Sequence, residues 1–340
     1  MNIIGGKFGL PKKLTDYSEM PQFLEGDPVL MFNGRSCIKQ VVDSLKPKHV
    51  WLPSYLCPTI ISAIDTNISK ICFYPIDINL SVKSIDFINK IIPGDLFLFI
   101  NYFGFDFLGE ILNTLRGKEI ILFRDCCQAL FFNWKKNHAD FCLFSPRKFL
   151  GVTDGGILHR TSNLNFKPQE LIDPPEDALL DMFYAILGRR EFDLNGIDRE
   201  WNTHFHQGEN KFFPGNSRMS KISTLLLKHS FDYEAIIERR KRNYSALLNK
   251  LGPFAVFPEL TKGVVPLGFP IKIKNRNSVQ EELFKRNIFP PIHWNIDGFV
   301  PNNFLESHQL ANQIMTLPCD QRYDESDLNR MADILTEIIA

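Results

Sequence analysis

The sequence lacks a continuous apolar run of the length that a membrane span needs. Its most apolar stretch, residues 96–105, contains Asn101 and Gly104, whereas a span needs roughly 18 uninterrupted apolar residues. The first residues also lack a basic region followed by an apolar run and a small-residue cleavage site. We therefore expect a cytoplasmic protein without a membrane span.

Neither sign of charge is in excess. The 340 residues include 39 Lys and Arg and 39 Asp and Glu, so the formal net charge is zero. Proteins that bind nucleic acids or anionic membranes usually carry a marked basic excess. We therefore expect neither partner, and the basic run at 239–242 is predicted to be the solvated face of a helix.

Cysteine and histidine spacings typical of disulfides or metal sites are also missing. The seven cysteines form no C-x-x-C motif and are mostly set among apolar residues, as reduced buried thiols are. His204 and His206 have no third ligand nearby in the sequence, so we predict no metal site there. The absence of G-x-G-x-x-G and Walker motifs disfavours a doubly wound nucleotide-binding module.

The sequence does contain alternating apolar runs and helical segments between residues 49 and 123. Runs such as 71–74, 95–101 and 120–123 are almost continuously apolar, which is typical of strands covered on both faces. This alternation predicts an α/β fold with a mainly parallel central sheet covered by helices.

The rest of the sequence predicts further secondary structure and the domain boundaries. Residues 190–217 are polar and are predicted to be irregular, and 220–251 are predicted to form a long helix, kinked near Asp232. The last ninety residues resemble a small α+β domain, with a strand predicted over 264–273 and a terminal helix over 325–339. We expect an N-terminal arm over 1–30, which wraps over a partner surface or the substrate cleft, a large domain over 31–235 and a small C-terminal domain over 236–340.

Polar residues follow the predicted strands where each one ends. Asp125, Ser145 and Lys148 occupy such positions, and the carboxyl ends of parallel strands gather at one rim where ligands bind. A lysine and an aspartate presented there suit pyridoxal phosphate (PLP), because the amine forms a Schiff base and the carboxylate holds the pyridine nitrogen protonated. Taken singly, such residues are more often a surface lysine and a helix-capping aspartate.

A possible phosphate site precedes these residues. Asn33 can cap a helix that begins at Gly34 and shows an apolar i, i+3, i+4, i+7 pattern. A helix N-terminus offers unpaired backbone N–H groups and a favourable dipole to a phosphate, and Ser36 adds a hydroxyl donor.

Six motifs in a fixed order connect these features. They are Asn33-Gly34-Arg35-Ser36, Leu52-Pro53-Ser54-Tyr55, Asp125-Cys126-Cys127-Gln128, Lys148 with Gly155-Gly156, Gly215-Asn216-Ser217-Arg218-Met219-Ser220 and Met315-Thr316-Leu317-Pro318. With them the chain, over roughly residues 30–340, resembles a divergent member of the DegT/DnrJ/StrS family of PLP-dependent aminotransferases. Members of that family mostly aminate keto groups on nucleotide-linked sugars.

The resemblance implies fold type I of the PLP-dependent transferases and a role for each motif. Lys148 would carry the cofactor and move the proton, Asp125 would pair with the pyridine nitrogen, and Gln128 would lie by the ring hydroxyl. The protein would be a homodimer with shared active sites, in which Asn216 reaches the cofactor phosphate of the other subunit. The other cofactor-binding candidates are Gly34, Arg35, Ser36, Tyr55, Cys57 and Ser145.

The chain departs from the family pattern at several of these positions. Cys57 stands where relatives stack an aromatic ring on the cofactor, and Tyr55 is a possible substitute. Ser145 lies three residues before Lys148 rather than five, Arg35 replaces a threonine, and Asp154 replaces a glutamate. The Arg35 guanidinium could bind a phosphate or a carboxylate.

The expected activity is transfer of an amino group, by resemblance from glutamate, to a keto-sugar that is nucleotide-linked. The pathway would supply a cell-surface polysaccharide or a secondary metabolite. Arg218, His293 and Trp294 are candidate substrate or interface residues, with simple packing as the alternative for the last two. The alternatives are a non-catalytic PLP or sugar sensor, and a PLP enzyme of another reaction type or with a non-sugar substrate. A dehydratase of the family is disfavoured, because those relatives tend to replace the lysine with histidine.

Overall fold

The computed structural model of the chain describes residues 3–12, 19–82, 84–106, 109–136, 138–196 and 199–340. Residues 1–2 and 13–18 of the predicted arm lie outside these ranges. The strands are β1 (Ile4–Gly5), β2 (Val29–Met31), β3 (His49–Pro53), β4 (Lys70–Tyr74), β5 (Leu96–Ile100), β6 (Ile121–Asp125), β7 (Phe141–Phe144), β8 (Gly156–Arg160), β9 (Phe269–Lys272), β10 (Ile288–Phe289) and β11 (Ile314–Leu317). The helices are α1 (Gly34–Leu45), α2 (Gly109–Arg116), α3 (Glu176–Asn195), α4 (Glu200–Glu209), α5 (Lys221–His229), α6 (Tyr233–Leu251), α7 (Arg276–Lys285), α8 (Leu305–Gln313) and α9 (Glu325–Ile339).

A seven-stranded sheet organises the chain, in the order β2-β8-β7-β6-β5-β3-β4. The strands from β3 to β7 run parallel, β8 is antiparallel to β7, and β2 is antiparallel to β8. Every residue of β5, β6 and β7 is buried, which explains their continuous apolar character. The prediction of a mainly parallel sheet covered by helices is confirmed.

The register of this sheet brings the ends of three strands together. Asp125 is the last residue of β6 and lies opposite Ile100 of β5 and Leu143 of β7. After β7 the chain makes a short 3₁₀ turn, Pro146–Lys148. Lys148 therefore lies just after β7, which is the neighbour of the strand that ends in Asp125.

The Gly155-Gly156 pair fits closely against the start of α1 and the turn that carries Lys148. A Cβ on Gly156 would lie 2.5 Å from the carbonyl carbon of Asn33, the residue that caps α1. Gly155 has a φ of +144°, and a Cβ there would lie 2.9 Å from Cγ of Pro146. Only glycine permits both approaches without displacing backbone or the proline ring.

The prediction that residues 190–217 are irregular is wrong, because α3 extends to Asn195 and α4 follows it. The two helices form an extensively packed pair. α4 buries only Trp201, Phe205 and Gly208, and the buried side of α3 is equally narrow. Their apolar periodicity is therefore weak, and their mutual packing stabilises them.

The long helix predicted over 220–251 is two helices. α5 ends at His229, and α6 begins at Tyr233 with Asp232 as its N-cap. The Asp232 carboxylate accepts a hydrogen bond from the Ala235 N–H at 2.9 Å. The break falls at the predicted kink because capping by aspartate starts a new helix there.

The C-terminal elements form two small sheets next to the large one. β9 and β11 are antiparallel, and β1 of the N-terminal arm pairs in parallel with β10. The predicted strand at 264–273 covers only Phe269–Lys272, whereas the terminal helix has the predicted bounds. A continuous apolar core joins the large sheet to α6 and α9. Over the described residues, no helix is both long enough and apolar enough to cross a membrane.

Candidate active site

Asp125 is held at the end of β6 by the turn that follows it. Its side chain is buried, with 5% of the residue exposed, and Oδ1 accepts the Cys127 N–H at 2.8 Å. Burial raises the pKa of Cys127, the charge of Asp125 raises it further, and the charge of Lys148 lowers it. Cys127 thus lies within electrostatic range of both predicted catalytic residues.

Gln128 leaves a buried hydrogen-bond donor without a partner. Its Oε1 accepts the Phe103 N–H at 2.9 Å, which fixes the orientation of the amide because that N–H needs an acceptor. The residue is 1% exposed, and its Nε2 has no hydrogen-bond partner in the described part of the chain. Such orphaned donors are rare in native proteins and often mark a ligand site.

Lys148 lies on the wall of a cavity of about 760 Å³, a volume typical of small-molecule sites. Cys57, Ser145, His293 and Trp294 share this wall. The Lys148 Nζ is 5.9 Å from the centre of the Trp294 ring. The structure therefore brings five of the predicted site residues to one cavity.

Asp125, Gln128 and the start of α1 are not on that wall, but Cys127 links them to one another. A Cβ on Gly34 would lie 3.4 Å from the Cys127 Sγ, so the first turn of α1 faces the loop after Asp125. Asn33 caps this helix by accepting the Ser36 N–H at 2.9 Å. The predicted phosphate site thus adjoins the loop that carries Asp125 and Gln128.

The segment 212–215 covers the N-terminus of α1. Arg35 donates a hydrogen bond to the Phe212 carbonyl, and the Ser36 Oγ accepts the Gly215 N–H at 3.1 Å. Burial lowers the pKa of Arg35, and the charge of Glu209 opposes this shift. The two predicted phosphate ligands are therefore already engaged by their own chain.

Asn216 and Arg218 lie away from the cavity within this chain. The Asn216 Nδ2 donates to the Glu170 carbonyl at 3.0 Å. Arg218 has a side chain that is 51% exposed, and it pairs with Asp173 at 3.4 Å. Neither residue belongs to the cavity wall, so a role for either one requires a second subunit or a different conformation.

Trp294, which lines the cavity near Lys148, belongs to a group of packed aromatic rings. Trp294 packs on Tyr55, with ring centres 5.6 Å apart, and Tyr55 in turn contacts Tyr102. Tyr55 is fully buried and not part of the wall, whereas Cys57 is. Trp294 is therefore the half-buried ring of this group that lines the cavity.

His293 is held in a neutral state beside Trp294. Its Nδ1 lies 2.9 Å from the Thr316 Oγ1, and its ring meets Phe103 edge-on. Burial lowers the pKa of His293 to about 3, assisted by the positive charges of Lys148 and Lys7. The imidazole is thus uncharged near neutral pH.

Several residues of the cavity were not predicted from the sequence. Lys7 of the arm and Glu209 of α4 line it together with Arg147, which forms an ion pair with Glu209. The position of Arg147 directly before Lys148 was a usable signal. Nothing in the sequence pointed to Glu209, because α4 itself was missed.

His204 and His206 lie on α4 rather than in a loop, and this corrects the predicted setting. The His204 Nδ1 is 3.2 Å from the Asp181 Oδ1, and His206 lines the cavity. Within the ranges that the structure covers, no group of three His, Cys, Asp or Glu residues could hold a metal ion.

Sequence comparisons identify no relative: neither a family model nor a curated protein matches the chain. Solved structures do match. PseC from Helicobacter pylori, an aminotransferase involved in the biosynthesis of pseudoaminic acid, is 10% identical with a TM-score of 0.69, and 99% of each chain is covered.

Two further structures show the same likeness. A DegT DnrJ EryC1 StrS aminotransferase from Brucella abortus is 14% identical with a TM-score of 0.65, over 93% of this chain and 86% of that one. NtdA from Bacillus subtilis with bound cofactor PMP is 15% identical with a TM-score of 0.68, over 93% and 74%. The predicted fold, type I of the PLP-dependent transferases, is confirmed.

Proposed function

We propose that this protein is a PLP-dependent aminotransferase that transfers an amino group from glutamate to a nucleotide-linked keto-sugar. The observation that supports this most is the arrangement of three residues at neighbouring strand ends. Lys148 lines the cavity, Asp125 and Gln128 are buried at the end of the neighbouring strand β6, and the charges of both Asp125 and Lys148 act on the Cys127 thiol. The fold shared with aminotransferases agrees with this assignment.

The residues fit a PLP ring. The orphaned Gln128 Nε2 is the donor that a ring oxygen would need, and the buried Asp125 carboxylate is the partner that a protonated ring nitrogen would need. The turn at Gly34 and Arg35 lies next to Cys127, and the cofactor phosphate would meet a helix N-terminus there. When bound, PLP supplies an electron sink for the carbon that bears the amino group.

The protein residues would then position groups and move protons. Lys148 would hold the cofactor covalently, and its Nζ would accept a proton from the α-carbon of the amino donor and later return it. Trp294 would limit the access of water on the side of Lys148. His293 stays neutral, so it adds no positive charge beside the lysine.

The proposal extends to assembly and organisation. We propose a cytoplasmic homodimer in which Asn216 completes the phosphate site of the other subunit. Its product would enter a cell-surface polysaccharide or a secondary metabolite. The division into an arm over 1–30, a large domain over 31–235 and a small domain over 236–340 belongs to the same proposal.

A visible absorbance spectrum tests the activity. The purified protein mixed with PLP is expected to show the band of lysine-bound PLP, and glutamate is expected to convert it to the absorbance of the aminated cofactor. Lys148→Ala should abolish the band, whereas Lys285→Ala, on an exposed part of α7, should keep it.

Two results would refute parts of the proposal. Absence of the band in PLP-saturated wild-type protein would exclude the proposal that the protein is a PLP-dependent enzyme. A band that no amino donor changes would exclude an aminotransferase and favour a sensor or another PLP reaction.

A further inference from the structure

A cavity of about 720 Å³ lies at the edge of the large sheet that is opposite to the candidate active site. Leu122 lines it near the start of β6, and Arg160 lines it at the end of β8. Along β6, roughly 10 Å of strand separates Leu122 from Asp125. Among the described residues, none lines both this cavity and the one that contains Lys148.

One wall of this cavity is paired strand backbone. The Asp140 Oδ2 accepts the Leu122 N–H at 2.8 Å, and the Asp140 N–H donates to the Leu122 carbonyl at 2.8 Å. The Thr161 N–H donates to the Asp140 carbonyl at 2.9 Å, and the Thr161 hydroxyl donates to the Ala139 carbonyl. The wall is therefore a fixed part of the sheet edge.

Trp134 adds an apolar wall. Its ring stacks on His159, with ring centres 4.1 Å apart, and its indole N–H donates to the Gln22 carbonyl at 2.7 Å. The side chain is half-buried and lines the cavity. Because its polar group is already satisfied, Trp134 offers an apolar surface against which the body of a small molecule can pack.

Arginine side chains bring positive charge to the cavity. Arg116 ends α2 and Arg160 ends β8; both are exposed, and neither guanidinium has an ion pair or hydrogen bond to a described residue. Lys135 also lines the cavity, but it pairs with Glu25. Asp140 is the sole carboxylate among the described lining residues, and a backbone N–H already binds it. Two guanidinium groups are therefore available to an anionic ligand.

We propose that this cavity binds a phosphate group, either free or as the monoester of a small molecule, with Arg116 and Arg160 as its ligands. A guanidinium binds two phosphate oxygens in a planar geometry that a lysine does not reproduce. The volume of the cavity is typical of small-molecule sites, which favours a phosphorylated molecule whose body packs on Trp134. Because the cavity is separate from that of Lys148, this inference does not depend on the proposed function.

Calorimetric titration tests the site with two probes, glucose 6-phosphate and inorganic phosphate. The protein is first loaded with PLP and then freed of excess PLP, so that the predicted cofactor site cannot take either probe. Each probe is titrated into the wild type, Arg116→Gln and Arg160→Gln. The matched control is Arg242→Gln, which removes an exposed arginine of α6 that likewise has no polar side-chain contact to a described residue.

Glucose 6-phosphate is expected to bind the wild type. Arg116→Gln and Arg160→Gln should each weaken this binding about tenfold or more, because each removes a charged hydrogen-bond donor. Arg242→Gln should bind like the wild type, and unphosphorylated glucose should not bind. If inorganic phosphate binds with the same dependence on both arginines and the ester does not, the phosphate site stands with the free ion as its ligand.

Absence of binding of either probe to the wild type would overturn the proposal. So would equal affinities of the wild type, Arg116→Gln and Arg160→Gln, because the probe would then bind elsewhere. If the protein binds no PLP but binding of a phosphate probe still depends on both arginines, this site stands and the aminotransferase does not.

Discussion

Asp154 connects the Gly155-Gly156 turn to the start of α5, and its removal should be strongly destabilising. The residue is fully buried, and its carboxylate accepts the Ser220 N–H at 2.7 Å and the Thr153 hydroxyl at 2.7 Å. The hydroxyls of Ser220 and Ser223 donate to it as well. Asp154→Ala would leave four buried donors without this acceptor.

The size of the effect follows from these hydrogen bonds. A buried donor left without a partner costs about 1–3 kcal/mol. The Thr153 and Ser223 hydroxyls, which are 2.8 Å apart, can still pair with each other. Burial of the charged carboxylate, which raises the pKa of Asp154, offsets part of the gain in the wild type. We therefore expect a loss of about 3 kcal/mol in the free energy of unfolding.

Urea denaturation followed by tryptophan fluorescence measures this loss. The control is Asp333→Ala, which removes an aspartate whose side chain is 73% exposed and should cost less than about 0.5 kcal/mol. Asp154→Asn, which keeps the side-chain volume, provides an intermediate case if Asp154→Ala does not fold. A loss below about 1 kcal/mol for Asp154→Ala would refute the reasoning.

Two further predictions concern the candidate site. Gln128→Leu should weaken PLP binding about 2- to 13-fold, because it removes one hydrogen bond worth about 0.5–1.5 kcal/mol. Equilibrium dialysis measures this affinity. An unchanged affinity would show that the Gln128 Nε2 does not contact the ring. For His293, the pKa in the folded state is about 3, below the ordinary value of a histidine. Between these two pKa values the unfolded chain binds more protons than the folded one. The free energy of unfolding therefore falls as the pH is lowered from 7. His293→Gln should remove up to about 2 kcal/mol of the stability lost between pH 7 and pH 5 in urea titrations. An identical pH dependence in both proteins would contradict a neutral imidazole in the folded state.

The strand-end residues could be predicted because their signal is local. β5, β6 and β7 are continuously buried, so their apolar runs end close to Asp125, the last residue of β6, and to Ser145, the first residue after β7. The chemistry proposed for Lys148 rests on its place after such a run and on the family resemblance. The cap at Asn33 was equally visible, because the pattern of α1 starts directly after it.

The other half of the cavity depends on tertiary contacts that leave little trace in the sequence. α4 is stabilised by packing on α3. Only three of its residues are buried, so its sequence shows a weak helical periodicity of apolar residues. Lys7 reaches the cavity because Arg189 and Arg322, which are distant in sequence, bind the arm backbone. Such long-range pairing cannot be read from composition or spacing.

The most direct test of the account is to locate the lysine that holds the cofactor. The PLP-loaded protein is reduced with borohydride, which makes the link between lysine and cofactor permanent, and its peptides are analysed by mass spectrometry. The account predicts the added mass on Lys148, in the peptide that includes the Pro146–Lys148 turn. Modification of a different lysine, or of none, would contradict it.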